Sequence, residues 1–97
     1  MTGLEIREAI GEVNEEALFI DGLYGDRNAF DEALIGLSGR IGMNQVATYQ
    51  IDKVIDILMK KYEMTELDAF EWFDYNIAGS YVGENSPIFL HNFKEEE

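Results

Sequence analysis

The chain has 97 residues, 46% of them hydrophobic, and carries twenty Asp and Glu against seven Lys and Arg, a formal charge of −13. That length makes one domain, residues 1–97, and a negative field of that size repels nucleic acid and anionic membranes, so no direct nucleic-acid binding is expected unless a partner or metal ion supplies the positive charge. Cysteine is absent, which removes disulfides, thiolate metal sites and cysteine nucleophiles.

Six Phe, five Tyr and one Trp argue for a packed core despite the charge. A 97-residue domain buries a modest fraction of its surface, so its apolar stripes are needed inside. No apolar run approaches the ~20 residues that span a bilayer. The start, MTGLEIREAIGEV, has no basic region leading into an apolar run, so no signal peptide is expected and the cytoplasm is the expected location.

Leu4, Ile6, Ala9, Ile10 and Val13 recur at near-helical spacing opposite Glu5, Glu8 and Glu12, which predicts a short amphipathic helix over 3–13. Residues 17–22, ALFIDG, are an apolar run closed by Asp-Gly and predict a strand entering a turn. The following LYGDRNAFDE, rich in Gly and Asx, reads as a loop with a helical turn. Residues 29–37 have helical periodicity, but Gly36, Gly39 and Gly42 each cost a helix ~1 kcal/mol relative to Ala. Two strands joined by a turn around Gly42-Met43-Asn44 are therefore expected.

Ile51, Val54, Ile55, Leu58 and Tyr62 form the clearest helical stripe in the chain. Asp52 suits the positive end of that helix, Lys60 and Lys61 suit its negative end, and Asp56 and Lys60 make an i, i+4 pair. Thr65-x-x-Asp68 has the spacing of a capping box and starts the next helix. Leu67, Phe70, Phe73 and Ile77 are expected to be its buried face, and Gly79 its stop. Pro87 forbids helix, so Ile88-Phe89-Leu90 is expected as a final strand, with a solvated acidic tail over 94–97. The expected fold class is α+β: a small sheet of three to four strands packed against two main helices. An all-α fold is the alternative if residues 29–42 are helical.

Chemistry is faint in this sequence. Gly36-Leu37-Ser38-Gly39 lacks the last glycine of a nucleophile elbow, because position 40 is Arg. His91, the only histidine, lies in the expected final strand, and nothing supports pairing it with Ser38. The glycines match neither dinucleotide nor P-loop fingerprints. Asp21, Asp26, Asp31 and Glu32 lie close in sequence without the spacing of a calcium loop. No cofactor, catalytic residue or metal site is expected.

The binding candidates are Glu71, Trp72, Asp74 and Tyr75. Trp72 and Tyr75 are i, i+3 neighbours off the Leu67/Phe70/Phe73 stripe and are flanked by carboxylates. Exposed aromatics ringed by acids suit a partner with a basic surface. If the helix is buried on a wide arc, both rings belong to the core instead.

VATYQIDKVIDILM followed by MTELDAFEWFDYNIAGSYVGENSPIF resembles a family of small uncharacterised acidic proteins encoded by tailed bacteriophages. The likeness rests on Tyr75-Asn76, Gly79, Gly83-Glu84 and Ser86-Pro87-x-Phe89, and spans residues 17–90. This chain departs from the family pattern at Gln50, where Asp is expected after Tyr49. The resemblance implies phage origin, host cytoplasm and no assigned chemistry. The expected function is a non-enzymatic accessory protein that binds a host or defence protein, including by nucleic-acid mimicry. The alternative is a small-molecule or nucleotide binder built on the glycine-rich turns. Self-association into a homo-oligomer is left open by the sequence.

Overall fold

Helix α1 (Gly3–Val13) starts on a reciprocal cap. The Thr2 hydroxyl accepts the Glu5 N–H at 3.2 Å, and the Glu5 carboxylate accepts the Thr2 N–H at 3.0 Å. A computed structural model describes residues 2–78 and 83–91 of the chain. After two single 3₁₀ turns, Leu23–Gly25 and Asp31–Ala33, come strand β1 (Leu34–Ser38), strand β2 (Val46–Gln50), helix α2 (Ile51–Lys61) and helix α3 (Glu66–Phe73). Helix α3 widens into a π turn, Asp74–Ala78, and strand β3 (Ile88–Leu90) ends the described fold. This is an α+β fold with one mixed three-stranded sheet in the order β1-β2-β3.

Strands β1 and β2 form the expected hairpin, antiparallel, with a bulge between Leu34 and Gly36. The glycines serve this turn. Gly42 sits at φ 86°, a left-handed conformation that costs glycine nothing. A Cβ at Gly39 would lie 2.7 Å from the Asn44 carbonyl oxygen. Strand β2 runs into α2 without a loop: Gln50 is extended and Ile51 is already helical. Gln50 makes no side-chain cap there, so α2 depends on its buried stripe. Ile51, Val54, Ile55 and Leu58 are buried as the periodicity predicts, and Tyr62 packs against the core. Strand β3 returns parallel to β2, pairing Thr48 with Ile88 and Gln50 with Leu90. Such a return needs a long crossover, which α2 and α3 supply.

The core is organised around Tyr49, which is fully buried. Its ring stacks on Phe89 at 6.0 Å between centroids, and Phe73 meets Phe89 edge-on at 4.9 Å. The Tyr49 hydroxyl accepts the Ile20 N–H at 3.2 Å. That bond explains a correction: residues 17–22 form no strand. The segment is an irregular strap whose Ile20 plugs the core, and the N–H groups of residues 18, 20 and 22 each find a different partner. Leu18 N–H donates to the Asn85 carbonyl at 3.0 Å, and Gly22 N–H donates to the Asp26 carbonyl at 2.7 Å.

Asn85 also ties three elements together by its side chain. Its Oδ1 accepts from Asn14 Nδ2 at 3.0 Å and from Asn44 Nδ2 at 3.1 Å. The end of α1, the hairpin turn and the approach to β3 are thereby fixed to one another. Gly79 and the acidic tail 94–97 lie outside the described residues. Among the described residues no helix is long and apolar enough to cross a membrane.

Replacing Tyr49 by Phe keeps the ring and removes the acceptor for a buried N–H. An unsatisfied buried donor costs about 1–3 kcal/mol, so Tyr49→Phe should unfold at correspondingly lower urea concentration with an unchanged m-value. A loss below about 0.5 kcal/mol would show that Ile20 is not held by this bond.

Candidate protein-recognition face

Helix α3 begins where the sequence places it, with the Thr65 hydroxyl accepting the Asp68 N–H at 3.1 Å. Its rotation is different from the expected one. The buried positions are Ala69, Phe73 and Ile77, an i, i+4, i+8 line, with Trp72 half-buried beside them. Leu67 is 68% exposed and Phe70 is 39% exposed, so neither is core. A small residue, Ala69, takes the fully buried position that a count of large apolar side chains assigns to its neighbours.

Trp72 faces inward with this rotation. Its ring packs against Phe30 at 6.2 Å, which leaves it half-buried at the border between the core and the outward face. Glu71, Asp74 and Tyr75 are exposed, Tyr75 to 88%. Together with Leu67 and Phe70 they fall at i, i+3, i+4, i+7 and i+8, one continuous outward face. The π turn lies under its end, where Asn76 Nδ2 donates to the Trp72 carbonyl at 3.0 Å. That side chain satisfies a carbonyl at the widened turn, so the end of the face is held by its own hydrogen bond.

Phe70 also connects the face to a groove of about 290 Å³ between α2 and α3. Ile55, Met59 and Phe70 give it an apolar floor, and Asp52, Asp56 and Glu66 are the acids that line it. Asp56 is held by Lys60 at 3.2 Å. From residue 62 to 91 the chain carries Glu63, Glu66, Asp68, Glu71, Asp74 and Glu84 and no Lys or Arg. The face thus sets three large apolar side chains on a helix whose own charged residues are all acids, with Lys53 and Lys60 reaching only Asp56 on the α2 side of the groove. Sequence reasoning named Glu71, Asp74 and Tyr75 and missed Leu67, Phe70 and Glu66. The absence of any Lys or Arg over these thirty residues is the signal that marks the whole segment.

The other sequence candidates are dispersed. The Ser38 hydroxyl accepts from Thr48 Oγ1 at 2.6 Å. Ser38 pairs with Val46, whereas His91 follows Leu90, the partner of Gln50. The two therefore sit at opposite ends of β2 and on the two strands that flank it, roughly 16 Å apart along the strand and about 10 Å across the sheet, and form no pair. His91 lies just beyond β3 and not in it. Asp31 is buried and bound by Arg7, whose Nε and Nη2 both donate to Oδ1 at 3.1 and 2.9 Å. Asp26 accepts from Lys61. Among the described residues no three His, Asp or Glu side chains converge as a metal ion needs. Searches of protein-family models, curated proteins and solved structures find nothing similar to this chain.

The Lys61 hydrogen bond lowers the Asp26 pKa from its ordinary value, and Asp26 raises that of Lys61. A depressed carboxylate contributes stability that is present above its unfolded pKa, near 3.9, and is lost as pH falls through the folded value. Carbon-detected NMR titration should place the Asp26 midpoint below that of an ordinary Asp. In Lys61→Gln the midpoint should return upward; an unchanged midpoint would remove Lys61 as the cause.

Proposed function

We propose that the chain is a non-enzymatic acidic binding protein whose α3 face docks on a basic surface of another protein. One observation carries this reading: Leu67, Phe70 and Tyr75 stand exposed on a helix whose own charged residues are all acids, in a segment, residues 62–91, without Lys or Arg. A small domain needs its apolar side chains inside, so three left on one face are an expense that an interface offsets. The aromatic and aliphatic side chains act as anchors that exclude water. The surrounding acids speed encounter with a cationic partner and reject anionic ones.

The resemblance to tailed-phage proteins makes a host or defence protein the proposed partner. Proteins that hold nucleic acid present the cationic clefts this face fits, so the proposed mode is competition with nucleic acid. The bound state then occurs in the host cytoplasm.

The test is capture from bacterial lysate on the immobilised chain at about 50 mM salt, followed by binding measurements on each retained protein after purification. Wild type should hold basic proteins that added duplex DNA displaces. Leu67→Ser/Phe70→Ser should weaken each at least about tenfold, because buried anchors contribute over 1 kcal/mol apiece. Leu67 is 68% exposed, so the single Leu67→Ser variant should weaken binding while its thermal midpoint barely moves, which separates lost binding from lost packing. Equal binding by the variant, or no retained protein at low salt, would contradict the proposal.

A further inference from the structure

A second groove, of about 370 Å³, opens between α1 and β1. Ile6, Ala9 and Ile10 line it from the helix, and Ile35, Gly36 and Leu37 from the strand. Strand β1 is an edge of the sheet: it pairs with β2, its first N–H (Leu34) turns back to the Asp31 carbonyl, and no other strand among the described residues pairs with its outer side. An edge with unspent backbone donors and acceptors is a template for an added strand.

Edges of this kind are normally blocked by Lys, Pro or inward charges, and residues 34–39, LIGLSG, contain none. The bulge at Ile35 bends the strand locally, but Gly36–Ser38 stay in regular pairing beyond it. Ile35 is 46% exposed and Leu37 is 37% exposed, both along this groove. A Cβ built on Gly36 would meet nothing within 4 Å, so the sheet face above the groove is uncovered at this position.

The rim decides what the groove takes. Glu5 and Glu12 stand just outside the lining, flanking its residue Ala9 at i−4 and i+3 on α1; both are exposed, and the Glu5 carboxylate also accepts the Thr2 N–H. Arg7, the one base on the helix, is turned away to Asp31 and to the Phe19 ring, 4.3 Å from its guanidinium. Glu5 and Glu12 lie about 10 Å apart along the helix, while strand residues i and i+4 lie about 13 Å apart on one face. The flexible stem of a lysine covers that difference.

We propose that the α1–β1 groove is a strand-addition site for an extended segment of a protein partner with the pattern basic–x–apolar–x–basic. The apolar residue settles between Ile10, Ile35 and Leu37, the two cations reach Glu5 and Glu12, and the backbone pairs with β1. This surface is separate from the α3 face, so one molecule can hold two segments at once.

The probe is the capped peptide Thr-Lys-Thr-Val-Thr-Lys-Thr, titrated into the full ¹⁵N-labelled chain. Saturable amide shifts confined to residues 6–13 and 34–39, with slower hydrogen exchange in β1, are the expected result. A peptide with Glu in place of both Lys should bind at least about tenfold more weakly, as like charges replace opposite ones. Glu12→Lys should weaken the Lys peptide and recover part of that loss with a peptide carrying Glu at one end. Ile35→Lys, at an exposed site that tolerates charge, should abolish binding. Shifts on α3 alone, no saturation at about millimolar peptide, or a Glu12→Lys variant with unaltered preference would overturn the proposal. So would a free protein that sediments as a dimer with its β1 amides already protected, since a second copy would then be the occupant.

Discussion

Positive charge is the scarce resource of this molecule, and its placement determines what the surface can do. Every ion pair among the described residues joins partners between residues 7 and 61: Arg7 with Asp31, Lys61 with Asp26, and Lys53 and Lys60 with Asp56. Residues 23–61 carry five acids and five bases, so this stretch is neutral. Arg7 does the most structural work, because the Asp31 it binds is buried and an unpaired buried carboxylate is costly. The same guanidinium donates to the Arg27 carbonyl at 2.8 Å and covers Phe19, so α1, the strap and the turn before β1 meet at one cation. Among the described residues no ion pair reaches an acid of α3. Its negative face follows from where the bases are used, and the exposed Leu67, Phe70 and Tyr75 then stand in a field of one sign.

Packing adds the second constraint. Tyr49 on β2 touches Phe89 on β3, which touches Phe73 on α3, and this aromatic chain sets the rotation of α3 about its axis. Once Phe73 is drawn in, Ala69 and Ile77 follow at one-turn spacing, and Leu67 and Phe70 are carried outward. The recognition face and the core are thus two sides of the same helix orientation. At the opposite end of the sheet, β1 keeps its outer edge beside an acid-rimmed helix, which gives the protein a second surface of the same sign and different shape.

Much of this was legible in the residues. The α2 stripe, its end charges and the Thr65 cap are local signals, and local physics decides them. The hairpin was legible because three glycines made a helix through residues 36–42 expensive. Residues 17–22 misled because an apolar run ending in Asp-Gly has the composition of a strand. Whether it pairs depends on a distant hydroxyl, that of Tyr49, which claims the Ile20 N–H. The α3 face misled for a different reason: periodicity weights large side chains, and here the small Ala69 holds the buried position. Glu71, Asp74 and Tyr75 were found by composition, whereas Leu67 and Phe70 needed the rotation that Phe89 imposes. Asn85, the hinge of three hydrogen-bonded elements, gave no signal beyond its place in a turn.

The central claim is that negative potential is concentrated where the bases are missing and is weakest along α2. Paired paramagnetic cosolutes, one cationic and one anionic and otherwise alike, report that potential at each amide proton by NMR relaxation. The account predicts the strongest cation enrichment at residues 66–76, a second maximum along the outer side of α1, and the weakest at residues 53–61. A flat profile, or a maximum along α2, would contradict it.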